Sequence, residues 1–149
     1  MRAFDHDYVN ELITRLGRID PESTPRWGTM SRDKMIAHLC ATVRFAKGKG
    51  PALPYVGNWF SSRVLGPLVL NGILKLPTNV GIPQPAGEPA AAPHGDIEAL
   101  HAELEDYLNL VQAGALSPPP HPLFGDIGID GWARLHVLHF EHHLRQFGA

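Results

Sequence analysis

The stretch Trp132–Phe147, WARLHVLHFEHHLRQF, decides how the rest of the chain is read. At about 100° per residue on a helix, His139 and His143 project from one face, and Trp132, Leu135, His136, Gln146 and Phe147 lie within about 60° of the line between them. Arg134, Glu141 and Arg145 fall on the opposite side. The pattern predicts an amphipathic helix whose inward stripe, ordinarily apolar, carries imidazoles at its centre.

Two imidazoles facing a core have to be satisfied, because burying a polar ring without a partner costs roughly 1–3 kcal/mol. A metal ion does this economically. Histidines at i and i+4 stand one turn apart, from which two neutral rings reach one ion at about 2.0–2.1 Å. The competing reading is a histidine cluster bonded to backbone carbonyls and carboxylates, with no metal. His136, His139, His142 and His143 all stand on this one helix, which favours metal. They are interleaved with Val137, Leu138 and Phe140 in helical register, unlike a purification tag. Two ligands make a weak site, so the chain has to supply a third.

The 149 residues suffice for a single domain, expected to span residues 1–149, with a core of its own. A formal net charge of −2, with no Lys/Arg run, gives no electrostatic footing for nucleic acid. The lone cysteine, Cys40, excludes an internal disulfide and a Cys-rich zinc module and suits a reducing compartment. The opening MRAFDHDYVN is polar and does not read as a signal peptide. The most apolar run, Val64 to Leu76, is too short to span a bilayer and is interrupted by Gly66, Pro67, Asn71, Gly72 and Lys75. A cytoplasmic protein with no membrane partner is expected.

Tyr8 or Val9, Leu12, Ile13 and Leu16 form one apolar face of a first helix, from about Asp5 or Asp7 to Leu16, with Gly17 as its stop. A turn-rich link, Asp20 to Pro25, leads through Arg26-Trp27-Gly28 to Ser31, a good N-cap for a helix from about Arg32 to Ala46. His38 lies mid-helix, close in angle to Met35, Thr42 and Phe45. It becomes the third ligand if this helix packs against the last one. Cys40 points to nearly the opposite side and reads as a small buried hydrophobe. From Gly50 to Pro93 the chain turns Pro/Gly-rich, with a short helix from about Trp59 to Leu76 expected to break near Gly66-Pro67, then a loop over 77–93. Asp96 caps a regular helix carrying Ile97, Leu100, Leu104, Tyr107 or Leu108 and Val111 on its apolar face, with Gly114 ending it. His6, His94 and His101 read as exposed. Four amphipathic helices without strand alternation predict an all-α bundle, with the Pro/Gly-rich excursion between the second and third bundle helices.

Arg26-Trp27-Gly28, Met30-Ser31, Met35-Ile36-Ala37-His38, Phe124-Gly125, Trp132 and the ending His139-Phe140-Glu141-His142-His143-Leu144-Arg145-Gln146-Phe147-Gly148 together resemble the DinB-like superfamily. The likeness covers both ends of the chain well and its middle poorly. It implies a four-helix bundle, often a homodimer, with a divalent metal on three histidines that correspond to His38, His139 and His143. It also implies a small-molecule substrate, since some members are transferases or isomerases that use low-molecular-weight thiols such as bacillithiol or mycothiol. In place of the usual His-His-Arg-Gly-Gln, this chain has Leu144-Arg145 where Arg-Gly stands.

Three neutral histidines leave an ion its full charge and an open coordination position, the pattern of a catalytic site. Zinc is the default cofactor; nickel, iron or manganese also suit imidazole. Such an ion lowers the pKa of a bound water or thiol, for transfer, isomerisation or hydrolysis of a small molecule. His136, one turn earlier, is the candidate for proton transfer or for support of the ligands, with an ordinary packing role as its alternative. His142 is placed to bond a neighbouring helix, and Gln146 to orient His142 or His143. The rival reading is a non-catalytic, metal-stabilised module for small-ligand binding or dimerisation; a third is a metal-free histidine pH switch. No His-Glu-x-x-His, deaminase, Walker, dinucleotide or Gly-x-Ser-x-Gly pattern is present.

Overall fold

The computed structural model describes residues 2–49, 58–73 and 96–149. These residues form α-helices α1 (His6–Gly17), α2 (Arg32–Ala46), α3 (Gly66–Leu70), α4 (Ile97–Gln112) and α5 (Gly128–Gln146), with no strand among them. The protein is all-helical over this part. Three of the helices start where the side chains dictate. Asp5 Oδ1 accepts the Tyr8 N–H at 2.9 Å, Ser31 Oγ accepts from Lys34 at 3.2 Å, and Asp96 Oδ1 accepts from Glu98 at 2.9 Å. Gly48 and Gly114, both at positive φ, lie just past α2 and α4.

The middle of the chain departs from expectation. The helix does not break at Gly66-Pro67. Instead the Gly66 N–H bonds to the Ser61 carbonyl five residues back, giving a π-helical turn over Ser61–Leu65 that runs directly into α3. Pro67 then falls in the first turn of α3, directly after the wider π-helical turn. Ser61 Oγ donates to the Leu123 carbonyl at 2.8 Å and fastens this turn to the loop before α5. Val69 and Leu70 are buried as expected, but Ile73 is exposed among the described residues. The last residues expected in this helix, the 77–93 loop and His94 lie outside the described residues.

Helix α4 packs against α1 and α2, and α5 packs against α1, α2 and α3. The core between them is built from Leu12 and Leu16 of α1, Met35, Ile36 and Leu39 of α2, Leu100, Leu104 and Tyr107 of α4, and Trp132, Phe140 and Leu144 of α5, all at most 1% exposed. Each such side chain contributes about 1.5–3 kcal/mol on leaving water, which is what holds α2 and α5 side by side. Glu141, read from periodicity as an outward residue, is instead half-buried. It pairs with Arg15 at 2.9 Å and accepts from the Tyr8 hydroxyl at 3.1 Å, because α1 covers that side of α5. No helix among the described residues is long and apolar enough to cross a membrane.

Candidate metal centre

The contact of α2 with α5 brings together the three histidines singled out in the sequence. His38 Nε2 lies 2.9 Å from His139 Nε2, and His143 Nε2 lies 3.1 Å from the same atom. The rings meet edge to face, with centroids 4.8 Å apart for His38–His139, 5.2 Å for His38–His143 and 4.8 Å for His139–His143. One ring nitrogen from each histidine thus lies within 4.8 Å of the other two. Two ligands on one ion at about 2.0–2.1 Å, separated by roughly 90–110°, have nitrogens about 2.9–3.4 Å apart. The two separations from His139 fall in that range, and the three histidines form a group that could hold one ion.

The third histidine is held in one tautomer by the chain. Gln146 Nε2 donates to the Trp27 carbonyl at 2.9 Å, which fixes the amide's orientation and turns its Oε1 towards His143. The His143 Nδ1–H donates to that oxygen at 2.8 Å, and so Nε2 keeps its lone pair for the cluster. The Arg26 N–H bonds to the Gln146 carbonyl at 2.7 Å, which pins the approach to α2 onto the end of α5. Gly28 is at φ 75°, and a Cβ there would meet Gln146 Nε2 at 3.2 Å. Gly148 lies beneath the Arg26 guanidinium, which a Cβ would meet at 2.8 Å. The separated motifs at the two ends of the chain are therefore two halves of one support.

Burial holds all three rings neutral. It pushes His38 below its ordinary pKa, with His142 adding to the effect, and pushes His139 well below it, helped by His38 and His143. His143 falls to about 4 through burial and His38, against an opposing contribution from Gln146. Neutral imidazole is the form that ligates a metal. His142 does not join the convergence. It stacks edge to face with Trp27 at 5.6 Å and with His143 at 5.1 Å, at the rim of the cluster.

His136 stands apart from the three. It is fully buried and ringed by Tyr107 at 5.0 Å, Phe4 at 5.3 Å, Trp132 at 5.6 Å and Phe140 at 5.7 Å, the last nearly parallel to it. Burial pushes its pKa down to about 3. Periodicity placed it on the same stripe as the trio, but Phe4, from the segment before α1, covers it. Cys40 is buried and its thiol pKa raised, in keeping with a packing role.

Sequence reasoning overlooked His121. Its Nδ1 accepts the N–H groups of Leu123 and Phe124, both at 3.1 Å, and its ring stacks on Phe124 at 4.7 Å. It organises the turn before α5, and the following Leu123-Phe124-Gly125 run was its only signal. Of the exposed readings, His6 sits 2.9 Å from Glu105 and His101 sits 3.6 Å from it. Surface pockets of about 480 Å³ beside Phe4 and Arg134 and about 710 Å³ beside Arg18 and Phe147 are not lined by the three convergent histidines.

Fold and site together define an all-helical protein with a three-histidine cluster between two helices. The chain belongs to the family described as Protein of unknown function (DUF1569), whose model matches residues 2–149. No curated protein and no solved structure matches the chain.

Proposed function

We propose that this is a DinB-like four-helix bundle acting as a divalent-metal-dependent enzyme, in which His38, His139 and His143 hold one ion through Nε2. The observation that carries this reading is the convergence of the three Nε2 atoms, with the His143 lone pair aimed there by the Gln146–Trp27 relay. Zinc is the preferred ion, because three neutral imidazoles suit it and leave a position open; nickel, iron and manganese share the donor preference less well or with other geometries. When bound, such an ion supplies a lowered pKa for water or a thiol and polarises a carbonyl.

The chain's own contribution is arrangement. Helices α2 and α5 hold the three nitrogens within 4.8 Å of one another, so little reorganisation opposes binding. The neutral Gln146 orients His143 without adding negative charge, which leaves the ion more electrophilic than an Asp or Glu in that place would. The reaction class that follows is transfer, isomerisation or hydrolysis of a small molecule, with a low-molecular-weight thiol or water as nucleophile, in a cytoplasmic homodimer.

Metal content of untagged protein purified without chelator, measured by mass spectrometry beside a His139→Ala/His143→Ala variant, tests the site. About one divalent ion per chain, lost in the variant, is expected. No ion, and no uptake of added zinc, nickel or manganese, overturns it. A non-catalytic, metal-stabilised module for ligand binding or dimerisation is the second reading. It is favoured by the position of the two surface pockets, neither of which reaches the three histidines. Thiol-transfer and hydrolysis screens on the loaded protein separate the two.

A further inference from the structure

A cavity of about 480 Å³ opens where the segment before α1, the end of α3 and the first half of α5 meet. Its volume lies in the range of about 300–1,000 Å³ usual for sites that hold small organic molecules. One wall is carbon, from Phe4, Leu70 and Ala133. Phe4 is wedged among the rings of His136, Tyr107, Tyr8 and Phe140, with centroids 5.3, 5.6, 6.0 and 6.0 Å away, so packing fixes that wall. The other wall carries opposite charges, Asp130 and Arg134. They stand four residues apart on α5, the spacing at which a carboxylate and a guanidinium ordinarily pair. Here no ion pair joins them among the described residues, and Arg134 Nη1 donates instead to Asn71 Oδ1 at 2.8 Å. The Asn71 amide is itself set by its Nδ2, which donates to the Pro67 carbonyl at 2.8 Å and leaves Oδ1 to face Arg134. Asn71 is neutral, so Arg134 keeps its charge and its remaining N–H donors. Arg2, the second guanidinium at this cavity, is paired with Glu11 at 2.8 Å and lies 4.9 Å over the Tyr8 ring.

We propose that this cavity binds a small zwitterion with an apolar body, of the chemical class of a free α-amino acid with an apolar side chain. A carboxylate matches the donor fork of Arg134, and an ammonium matches the Asp130 carboxylate. The apolar body lies against Phe4, Leu70 and Ala133. In such a molecule one carbon joins the two charged groups, so together they bridge neighbouring opposite charges that the fold keeps from each other. A simple anion or a simple cation fits less well, because each brings a like charge to one of the two side chains. The cavity lies on the first half of α5 and the three clustered histidines do not line it, so the proposal does not depend on a metal.

Isothermal titration calorimetry of the full chain with L-phenylalanine, hydrocinnamate and phenethylamine tests this. The first probe carries both charges, hydrocinnamate lacks the ammonium, and phenethylamine lacks the carboxylate. L-Phenylalanine is expected to bind saturably, and each analogue about 10–100-fold more weakly. Arg134→Gln and Asp130→Asn should each weaken L-phenylalanine by a similar factor. Both side chains are exposed, so Tm is expected to stay unchanged in either variant. Hydrocinnamate should bind Asp130→Asn no more weakly than it binds the native chain, a result that a merely structural role for Asp130 would not give. No saturable binding, an analogue that binds as tightly as L-phenylalanine, or a variant that keeps full affinity overturns the proposal.

Discussion

Two histidine environments share one stripe of α5, and they differ in almost every physical respect. At His139 and His143 the rings present nitrogen to nitrogen, with His38 completing the set from α2. At His136, one turn away, the ring presents its faces and edges to aromatic carbon. The residue type, the helix and the angular position are the same. What differs is the element opposite: α2 brings an imidazole to the first environment, whereas the segment before α1 and helix α4 bring Phe4 and Tyr107 to the second. A histidine's chemistry is therefore set by its neighbours across the packing interface, and helical periodicity reports only that it has some.

The sharpest way to break the contrast is to make the first environment resemble the second. His38→Phe leaves two imidazoles and a carbon wall, and the expected outcome is loss of the ion from about one per chain to near none, read by mass spectrometry. Retention of full metal content would show that His38 is not a ligand.

Acid comes next in size. The folded pKa of His136 is about 3 and that of His121 about 4, both below the ordinary value because burial opposes the charged form. Between pH 6.5 and those values the unfolded chain binds more protons than the folded one, so stability is complete above about pH 6.5 and falls as pH drops. At pH 5 each group costs about 2 kcal/mol relative to pH 7. Denaturant titrations at the two pH values measure the sum over all the buried histidines, and His136→Phe should reduce it by about 2 kcal/mol. An unchanged slope in that variant would mean that His136 is not the neutral buried ring described here.

Gln146→Leu sharpens the contrast from the other side, by giving His143 an unpartnered Nδ1 like that of His136. Loss of such an orienting group typically weakens metal binding by about 10–100-fold. Competition with a chelator of known affinity measures it, and an unaltered affinity would dismiss the relay. Smallest is Gly28→Ala. The left-handed backbone at φ 75° and the 3.2 Å approach to Gln146 predict a loss of about 1–2 kcal/mol in stability, seen as a lower midpoint in thermal unfolding.

Much of the helical order was legible. Asp5, Ser31 and Asp96 announce their helices because a short polar side chain before an apolar periodicity has one economical use, and it is made within three residues. The π-helical turn was not legible, since proline reads locally as a break. Only the anchoring of Ser61 to the Leu123 carbonyl shows where the chain makes room for it. Glu141 was misread for a related reason: its angle puts it opposite the inward stripe of α5, and α1 supplies the arginine and tyrosine that cover that side. At the site, His38, His139 and His143 could be named from spacing. The function of Trp27 and Gly28 could not, because one acts through a main-chain carbonyl and the other through having no side chain.

By itself the sequence determined that the chain is helical, where most of its helices begin, and that an imidazole-bearing stripe faces inward. Those are local properties, written in side chains within a turn or two of one another. Tertiary structure alone decided that His38 meets His139 at 2.9 Å, that Gln146 joins the two ends of the chain, and that His136 is enclosed by carbon. The first two depend on residues roughly a hundred positions apart, and the third needs Phe4 from the other end of the chain; only the burial of a shared core brings them into contact.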